Sequence, residues 1–518
     1  MAVNILSADS VTQWVANTAS DTYVLQQDVY LAVLGTAISG TAAVTNRKFQ
    51  IDGHVIGEGA GSGMFIGFDA ISGGSTTIHV SATGSILGEG YGIVSHGGGL
   101  ELVNKGDISG STAGLSMTGD FNHVINAGTI SSWNGAGLIS SGLDADIVNQ
   151  GTISGVTNGL ELNGHEFRFV NSGLVTSSTS LLTEAAVYMT GHYGEFVNEG
   201  TVSCLSSYSM IGDDTAQTVT NNGFIFGAVD LGDGSDRFSN EGGTVHGSVD
   251  LGAGYDTFKS IGGTVTGPVY GGQDNDFYII DDASIELVEF SGDGIDGVRS
   301  SVSYWLQSNF EELYLSGKAD LVGGGNSLAN YLVGNAGDNK LFGLAGDDEF
   351  QAGEGNDRFD GGGGSDLVSY DSDINSGVKV NLATGKGGGA AAGHVYVNIE
   401  NVTGSGFNDQ IIGNGFANRL DGYVGNDVLR GGGGKDVFIF VDSWGKDTIT
   451  DFHDKQDKIE LDFNVNGVDI NDFSDLGGLI KQKGGDVIID FTSIYPGDML
   501  ILKNMDVSDL SAADFIFD

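Results

Sequence analysis

Between residues 100 and 225 the apolar positions recur in a fixed frame of apolar, Asn, any residue, Gly, any residue, apolar. It reads VNKGDI from Val103, INAGTI from Ile125, VNQGTI from Val148, VNSGLV from Val170, VNEGTV from Val197 and TNNGFI from Thr220. The asparagines Asn104, Asn126, Asn149, Asn171, Asn198 and Asn221 are spaced by 22, 23, 22, 27 and 23 residues. Within each interval, short runs alternate apolar and polar with period two and stop at Gly or Asn, with no helical period. A repeat of roughly 20 to 30 residues built this way predicts an all-β solenoid with three short strands per rung. In the rung 151–171 the strands are expected at TIS, GLELNG and FRFV. The Asn column is expected at a tight left-handed corner, which Asn tolerates, with amides about 4.8 Å apart hydrogen-bonding up the stack.

The frame then shortens. GAVDLGDGSDRFSNEGGTVH (Gly227 to His246), GSVDLGAGYDTFKSIGGTVT (Gly247 to Thr266) and the segment from Gly267 repeat every 20 residues. This aligns Asp236, Asp256 and Asp276 in one column and Phe238, Phe258 and Tyr278 in another. Each segment carries a partial cation-binding turn, and a plain acidic turn accounts for it equally well.

Farther on the repeat is nine residues. GNAGDNKLF, GLAGDDEFQ, AGEGNDRFD and GGGGSDLVS run from Gly334 to Ser369 and keep the pattern Gly-Gly-x-Gly-x-Asp-x-apolar-x. A second array, GFNDQII, GNGFANRLD, GYVGNDVLR and GGGGKDVFI, runs from Gly406 to Ile439 and sets Asp409, Asn418, Asp427 and Asp436 nine apart. The glycines permit positive φ and bring backbone carbonyls together, and the acid at the sixth place puts a carboxylate where they converge. That is the chemistry of a Ca²⁺ cup. The apolar residue at the eighth place, Leu341, Phe350, Phe359 and Val368 in the first array, suits a short strand on a narrow core and has no reason to exist in a flexible Gly-rich linker.

These arrays resemble the RTX nonapeptide family, whose repeats form a parallel β-roll with Ca²⁺ between successive turns. The resemblance implies ligands at Asp348, Asp357, Asp366, Asp409, Asp427 and Asp436, and turn glycines at Gly346, Gly353, Gly355, Gly362, Gly364, Gly425, Gly432 and Gly434. Asp276, Asp447 and Asp451 are further candidate ligands. Residues 297–317 and 376–409 resemble linkers between such blocks, and 446–461 a closing region. The earlier rungs resemble the right-handed parallel β-helices of bacterial adhesins and polysaccharide-active enzymes. The expected organisation is a cap at 1–45, a parallel β-helix at 46–266, a transition at 267–324, a first β-roll at 325–370, a linker at 371–404, a second roll at 405–445 and a closing region at 446–518. The tail DMLILKNMDVSDLSAADFIFD, with Asp514 before Phe515, Ile516 and Phe517, resembles the uncleaved C-terminal signal of RTX proteins exported by type I secretion; the extra Asp518 departs from the usual ending.

Charge and composition narrow the field. Lys+Arg number 21 against 68 Asp+Glu, for a net charge of −47. This argues against nucleic acid or an anionic membrane as partner and strains a compact state unless divalent cations bind. The 88 glycines and two prolines, Pro268 and Pro496, accompany 40% hydrophobic residues, enough to bury a core. Cys204 is the only cysteine, so no disulfide framework stabilises the chain. The stretch MAVNILSADSVTQWVANTAS has neither the basic nor the apolar region of a Sec signal, and no transmembrane segment is expected. The expected location is extracellular.

Catalytic chemistry is thin. His165 and His192 each lie six residues before their rung's Asn, in a column shared with Asp120 and Leu143. They could share a metal or a proton, or form a tolerated polar turn column. The segment SSTSLLTEAAVY (Ser177 to Tyr188) holds an insertion of roughly four residues, which suits a partner-binding loop or neutral decoration. Arg47, Lys48, Lys105, Arg168 and Arg237 are the only permanent cations in residues 1–250, few for an anionic-sugar groove, and no alginate-epimerase or pectate-lyase motif is present. Two classes remain: a secreted calcium-binding structural or adhesive protein whose β-helix faces a cell-surface or matrix polysaccharide, and a secreted polysaccharide lyase or epimerase.

Overall fold

The computed structural model describes residues 3–16, 21–40, 46–59, 61–66, 75–181, 183–372, 375–441, 444–462, 470, 472–493 and 496–517. It divides into two compact units, Met1–Gly294 and Ile295–Asp518. Both are all-β and wound as parallel solenoids. Among the described residues no helix is long and apolar enough to cross a membrane.

Each rung of the first unit has three strands. In the rung 151–171 these are Thr152–Gly155, Leu160–Leu162 and Arg168–Asn171, where the alternation places them. Each pairs in parallel with its counterpart one rung on: Ile153 with Val175, Leu160 with Val187 and Phe169 with Phe196. Inward residues are fully buried, so each column of the core is a stack of like side chains, such as Ile108, Ile130, Ile153, Val175, Val202 and Ile225. Phe169 stacks on Phe196 at 5.2 Å. Burying such side chains contributes roughly 1.5–3 kcal/mol each and supplies the drive for stacking.

The asparagines form a buried ladder. Asn104 Nδ2 donates to Asn126 Oδ1 at 2.8 Å, and the same 2.8 Å bond recurs from Asn126 to Asn149, Asn171, Asn198, Asn221 and Asn240. All seven are fully buried. Asn240, 19 residues after Asn221, is a member that the frame did not reveal, because Ser239 and Thr244 stand at its apolar places and one extra turn residue delays the inward Val245. The expected left-handed corner is not at the asparagines, none of which has positive φ. It lies five residues earlier, at Gly99, Phe121, Asp144, Glu166 and Tyr193, with φ between 52° and 73°. There the amides of Phe121, Asp144 and Glu166 donate to carbonyls of the next rung.

The second unit uses two strands per turn. On one side run Tyr331–Val333, Glu349–Gln351, Leu367–Ser369, Asn401–Thr403, Arg419–Asp421 and Val437–Val441. On the other, Lys340–Ala345 pairs with Arg358–Gly363, which pairs with Val395–Val397. The segments expected as linkers take part in this stack. Gly297–Ser300 pairs with Glu312–Leu315, and Asn401–Thr403 joins the two arrays edge to edge. Between the arrays, Val378–Asn381 and Lys386–Gly389 form an antiparallel hairpin. The eighth-place residues Leu341, Phe350, Phe359, Val368, Ile411, Leu420, Leu429 and Phe438 are all fully buried. Phe515–Phe517 closes the stack by pairing with Ile459–Leu461.

The ladder can be tested at its centre. Asn149 accepts from Asn126 and donates to Asn171 and to the Leu174 carbonyl. Asn149→Ala leaves both neighbouring amides short of a partner and is expected to cost about 2–3 kcal/mol in denaturant unfolding. The exposed neighbour change Gln150→Ala is expected to cost under about 0.5 kcal/mol. Equal losses would show that the ladder contributes nothing specific.

Candidate metal centre

In the Asp357 turn only the fourth residue, Gly355, takes positive φ and in the Asp427 turn only the second, Tyr423, while in three other nine-residue turns both places do. The values are +101° and +149° at Gly362 and Gly364, +94° and +121° at Gly432 and Gly434, and +81° and +115° at Leu344 and Gly346. Glycine adopts this region freely, while Leu344 is held there by its neighbours. The tight turn leads the sixth-place side chain back under the turn.

That side chain meets the adjacent turn in a constant way. One carboxylate oxygen accepts the amide of the matching residue one turn earlier: Asn330 N to Asp348 Oδ1 at 2.8 Å, Asn339 N to Asp357 at 2.8 Å, Asp348 N to Asp366 at 2.9 Å, Asp409 N to Asp427 at 2.7 Å, Asn418 N to Asp436 at 3.0 Å and Asp427 N to Asp447 at 2.8 Å. The other oxygen, Oδ2 of Asp348, Asp357, Asp366, Asp427, Asp436 and Asp447, is buried with no hydrogen-bond partner among the described residues. A methyl group added at Gly343 would collide with Asp348 Oδ2 and approach the Gly361 carbonyl; one at Gly361 would collide with Asp366 Oδ2 and the Asn398 carbonyl. The gap beside these glycines is therefore lined by acceptors. Buried charge without a donor is costly, and a hard cation taking several oxygen ligands fits the donor set.

Burial pushes these carboxyls far above their ordinary range: Asp348, Asp357 and Asp427 to about 7, Asp366 and Asp436 to about 6, and Asp447 to about 8. Neighbouring acids add to the effect, as Asp366 and Asp347 do at Asp348. In a metal-free cup a proton therefore competes with a cation for the same oxygen.

Asparagine at the sixth place behaves differently. Asn330 Nδ2 donates to the Phe310 carbonyl at 2.9 Å, Asn339 Nδ2 to Asn335 Oδ1 at 2.9 Å and Asn418 Nδ2 to the Glu400 carbonyl at 2.8 Å. The amide brings its own donor, so these turns are complete without an ion.

The remaining candidates separate on the same criterion. Both oxygens of Asp409 are engaged, by the Ser405 amide and hydroxyl and the Val378 amide. Asp451 accepts the Gly431 and Gly432 amides and pairs with Arg430 at 3.1 Å. At Asp357 the first-place glycine is Ala352, and the buried His394 reaches into the cup, with Nε2 3.1 Å from the Gly355 carbonyl and 3.7 Å from Asp357 Oδ2. His394 Nδ1 lies 2.8 Å from the Tyr370 hydroxyl, which contacts the Tyr396 hydroxyl. Burial lowers the His394 pKa, which favours the neutral ring. No sequence signal pointed to this histidine, 37 residues beyond Asp357 in the inserted hairpin segment. In the first unit, a side chain at Gly271 would meet Asp276 Oδ2, Glu289 Oε1 and the Tyr278 hydroxyl together. The His165 and His192 rings stack at 4.9 Å, and His165 Nδ1 accepts the His192 amide at 3.2 Å. That nitrogen is occupied by the backbone.

The model of the RTX calcium-binding nonapeptide repeat, four copies long, matches residues 324–359, 333–368 and 403–438. The chain has no significant sequence match among curated proteins. Among solved structures it is similar to the extracellular lipase LipA from Serratia marcescens, at 16% identity and a TM-score of 0.18, over 43% of this chain and 45% of the lipase. The match spans less than half of that lipase, and a score so low carries no argument about fold or activity.

Two outcomes are expected. In a Ca²⁺ titration followed by circular dichroism, Asp366→Asn should raise the folding midpoint several-fold, because it removes one anionic ligand, while Asp490→Asn, outside any cup, should not. Equal midpoints would refute the assigned register. The second concerns pH in EDTA. The folded pKa values lie near 6–8, above the ordinary carboxylate value of about 3.8 in an unfolded chain. The stability they contribute is therefore complete below about pH 4 and is lost as pH rises through 6–8. The metal-free second unit should be more stable at pH 5 than at pH 8, and its Ca²⁺ midpoint should rise as pH falls below 7. A metal-free stability that is flat from pH 5 to 8 would rule this out.

Proposed function

We propose, with residues 324–368 and 403–438 carrying RTX calcium-binding repeats, that the chain is a secreted structural or adhesive protein whose β-roll folds on Ca²⁺ outside the cell. The observation that carries the reading is the set of buried carboxylate oxygens aimed at carbonyls with no donor. At low Ca²⁺ the acidic columns repel and the glycine turns cost backbone entropy; at extracellular millimolar Ca²⁺ the binding free energy becomes folding free energy. The docked Phe515–Phe517 strand and the buried Asp514 fit an export signal that is read before folding and hidden after it. Deleting residues 459–518 is expected to hold the chain inside a cell bearing a type I exporter; its appearance in the culture supernatant would overturn the export part of the reading.

The first unit is assigned the role of a glycan- or matrix-facing surface. Its outward columns carry part-exposed hydroxyls in register: Thr129, Thr152 and, two rungs on, Thr201 in one, and Ser131, Ser154, Thr176 and Ser203 in the next. The half-exposed Phe224 and Phe226 extend both columns. Hydroxyl rows beside aromatic rings suit sugar rings, which offer both hydroxyls and C–H faces. Two of the five permanent cations support a non-catalytic reading: Arg47 is buried with Nη1 on the Ala16 carbonyl, and Arg168 lies between Asp146 and Glu195 at 3.4 Å from each. Retention of the chain on immobilised polysaccharides in Ca²⁺ should fall at least several-fold for Phe224→Ala/Phe226→Ala. Release of unsaturated or epimerised products from an acidic polysaccharide would instead favour the lyase or epimerase.

A further inference from the structure

We infer that the 20-residue rungs of the first unit hold a second column of divalent cations, bound between Gln217 and Asp236 and between Asp236 and Asp256, outside the nonapeptide segments. Three buried acceptors stack there in register. Gln217, Asp236 and Asp256 are each 2% exposed. The Gln217 amide donates to Asp236 Oδ1 at 2.6 Å, and the Asp236 amide to Asp256 Oδ1 at 2.6 Å. The remaining oxygens, Gln217 Oε1, Asp236 Oδ2 and Asp256 Oδ2, have no hydrogen-bond partner among the described residues.

This is the arrangement of the nonapeptide cups, reached at a different period. Gly232 and Gly234 have φ of +85° and +136°, and Gly252 and Gly254 +105° and +138°, the second- and fourth-place values of the nine-residue turns. Repulsion also gathers on this flank: Asp213 and Asp256 act on Asp236, Asp250 and Asp274 on Asp256, and Asp230 on Asp250. Lys259, in the same rungs, is paired with Glu241. One feature differs. Leu231 and Leu251, both fully buried, stand where the nonapeptide has its first glycine, so the ion here draws on the stacked side-chain oxygens and not on a first-place gap.

The competing state is a proton on each carboxyl, with Asp236 donating to Gln217 Oε1. Burial favours it, pushing Asp236 up to about 8 and Asp256 to about 6. The two states respond oppositely to Ca²⁺ at neutral pH, because only the ion column is removed by a chelator.

The test uses the full chain with Ca²⁺ alone as probe. Equilibrium dialysis at pH 7.5 should find about one or two fewer bound ions per chain in Asp236→Asn/Asp256→Asn than in the wild type, since Asn keeps the shape and loses the anionic ligand. Hydrogen exchange needs no variant: wild-type peptides covering 227–266 should exchange several-fold more slowly in Ca²⁺ than in EDTA, and the double variant should lose that difference while peptides covering 340–370 and 410–440 keep theirs. Equal ion counts, or exchange at 227–266 indifferent to Ca²⁺, would overturn the inference. Loss of the calcium effect at 340–370 and 410–440 in the wild type would count against the proposed function, so the two failures are distinguishable.

Discussion

Parallel stacking imposes one constraint on everything else in this chain: each buried residue lies about 4.8 Å from its own counterpart in the next turn. For Ile, Val or Phe this is harmless, and the core is built from such columns. For a polar group the outcome depends on whether the group can satisfy a copy of itself. An amide can, because it carries both a donor and an acceptor, so seven asparagines from Asn104 to Asn240 bond one to the next without help. A carboxylate cannot. It has acceptors only, and stacking Asp348 on Asp366 or Asp427 on Asp447 leaves one oxygen of each without a donor.

The same choice appears among the short turns of the second unit. Asn330, Asn339 and Asn418 stand in the same column as the cup aspartates, in turns whose second place is Asn and whose second and fourth residues lack the positive φ of the Asp348 and Asp436 turns, and their Nδ2 groups reach backbone carbonyls or a neighbouring side-chain oxygen. In these turns the amide together with its own backbone makes a self-sufficient corner, while the glycine turns with aspartate leave an oxygen that a cation or a proton can serve. With 68 acidic side chains against 21 lysines and arginines, most carboxylates have no cationic side chain to pair with, and a divalent ion discharges two carboxylates at once. Calcium bound there would be a component of the stack, coupling each turn to the next through the oxygens that converge between them.

Much of this was legible because solenoids repeat their reasons. The three strands of a rung, the eighth-place core residues and the Asn column follow from period and alternation alone. What escaped were features set by the neighbouring turn. The left-handed corner at Gly99, Phe121, Asp144, Glu166 and Tyr193 carries no shared residue type, and amides there reach the next rung's carbonyls. Asn240 was hidden because Ser239 and Thr244 stand at the frame's apolar places and its turn is one residue longer. Asp409 and Asp451 fit the acidic pattern, yet Ser405 and the Gly431 and Gly432 amides satisfy them. His394 reaches the Asp357 cup from an inserted segment, a contact that no spacing encodes. The segment between the arrays resembled a linker because it is Gly- and Ala-rich, although Val395–Val397 and Asn401–Thr403 are needed to carry the two sheets across it.

A division of labour follows from the geometry. Inward and turn positions are committed to stacking, through apolar columns, the amide ladder or oxygens that require ions, and substitutions there act on folding. The outward columns have no such duty, and they differ along the chain: a charged row through His123, Asp146, Arg168 and Glu195 on one sheet, and hydroxyls ending in Phe224 and Phe226 on another. Because rungs repeat at a fixed spacing, any group placed outward is presented as a row and not as a point. In the proposed glycan-facing role such a row would suit an extended, repetitive partner, since each additional rung engaged adds a contact without a new loss of translational freedom. Rigid stacking is what makes that summation effective, so the core's demand for complete columns and the surface's capacity for extended recognition have the same physical origin.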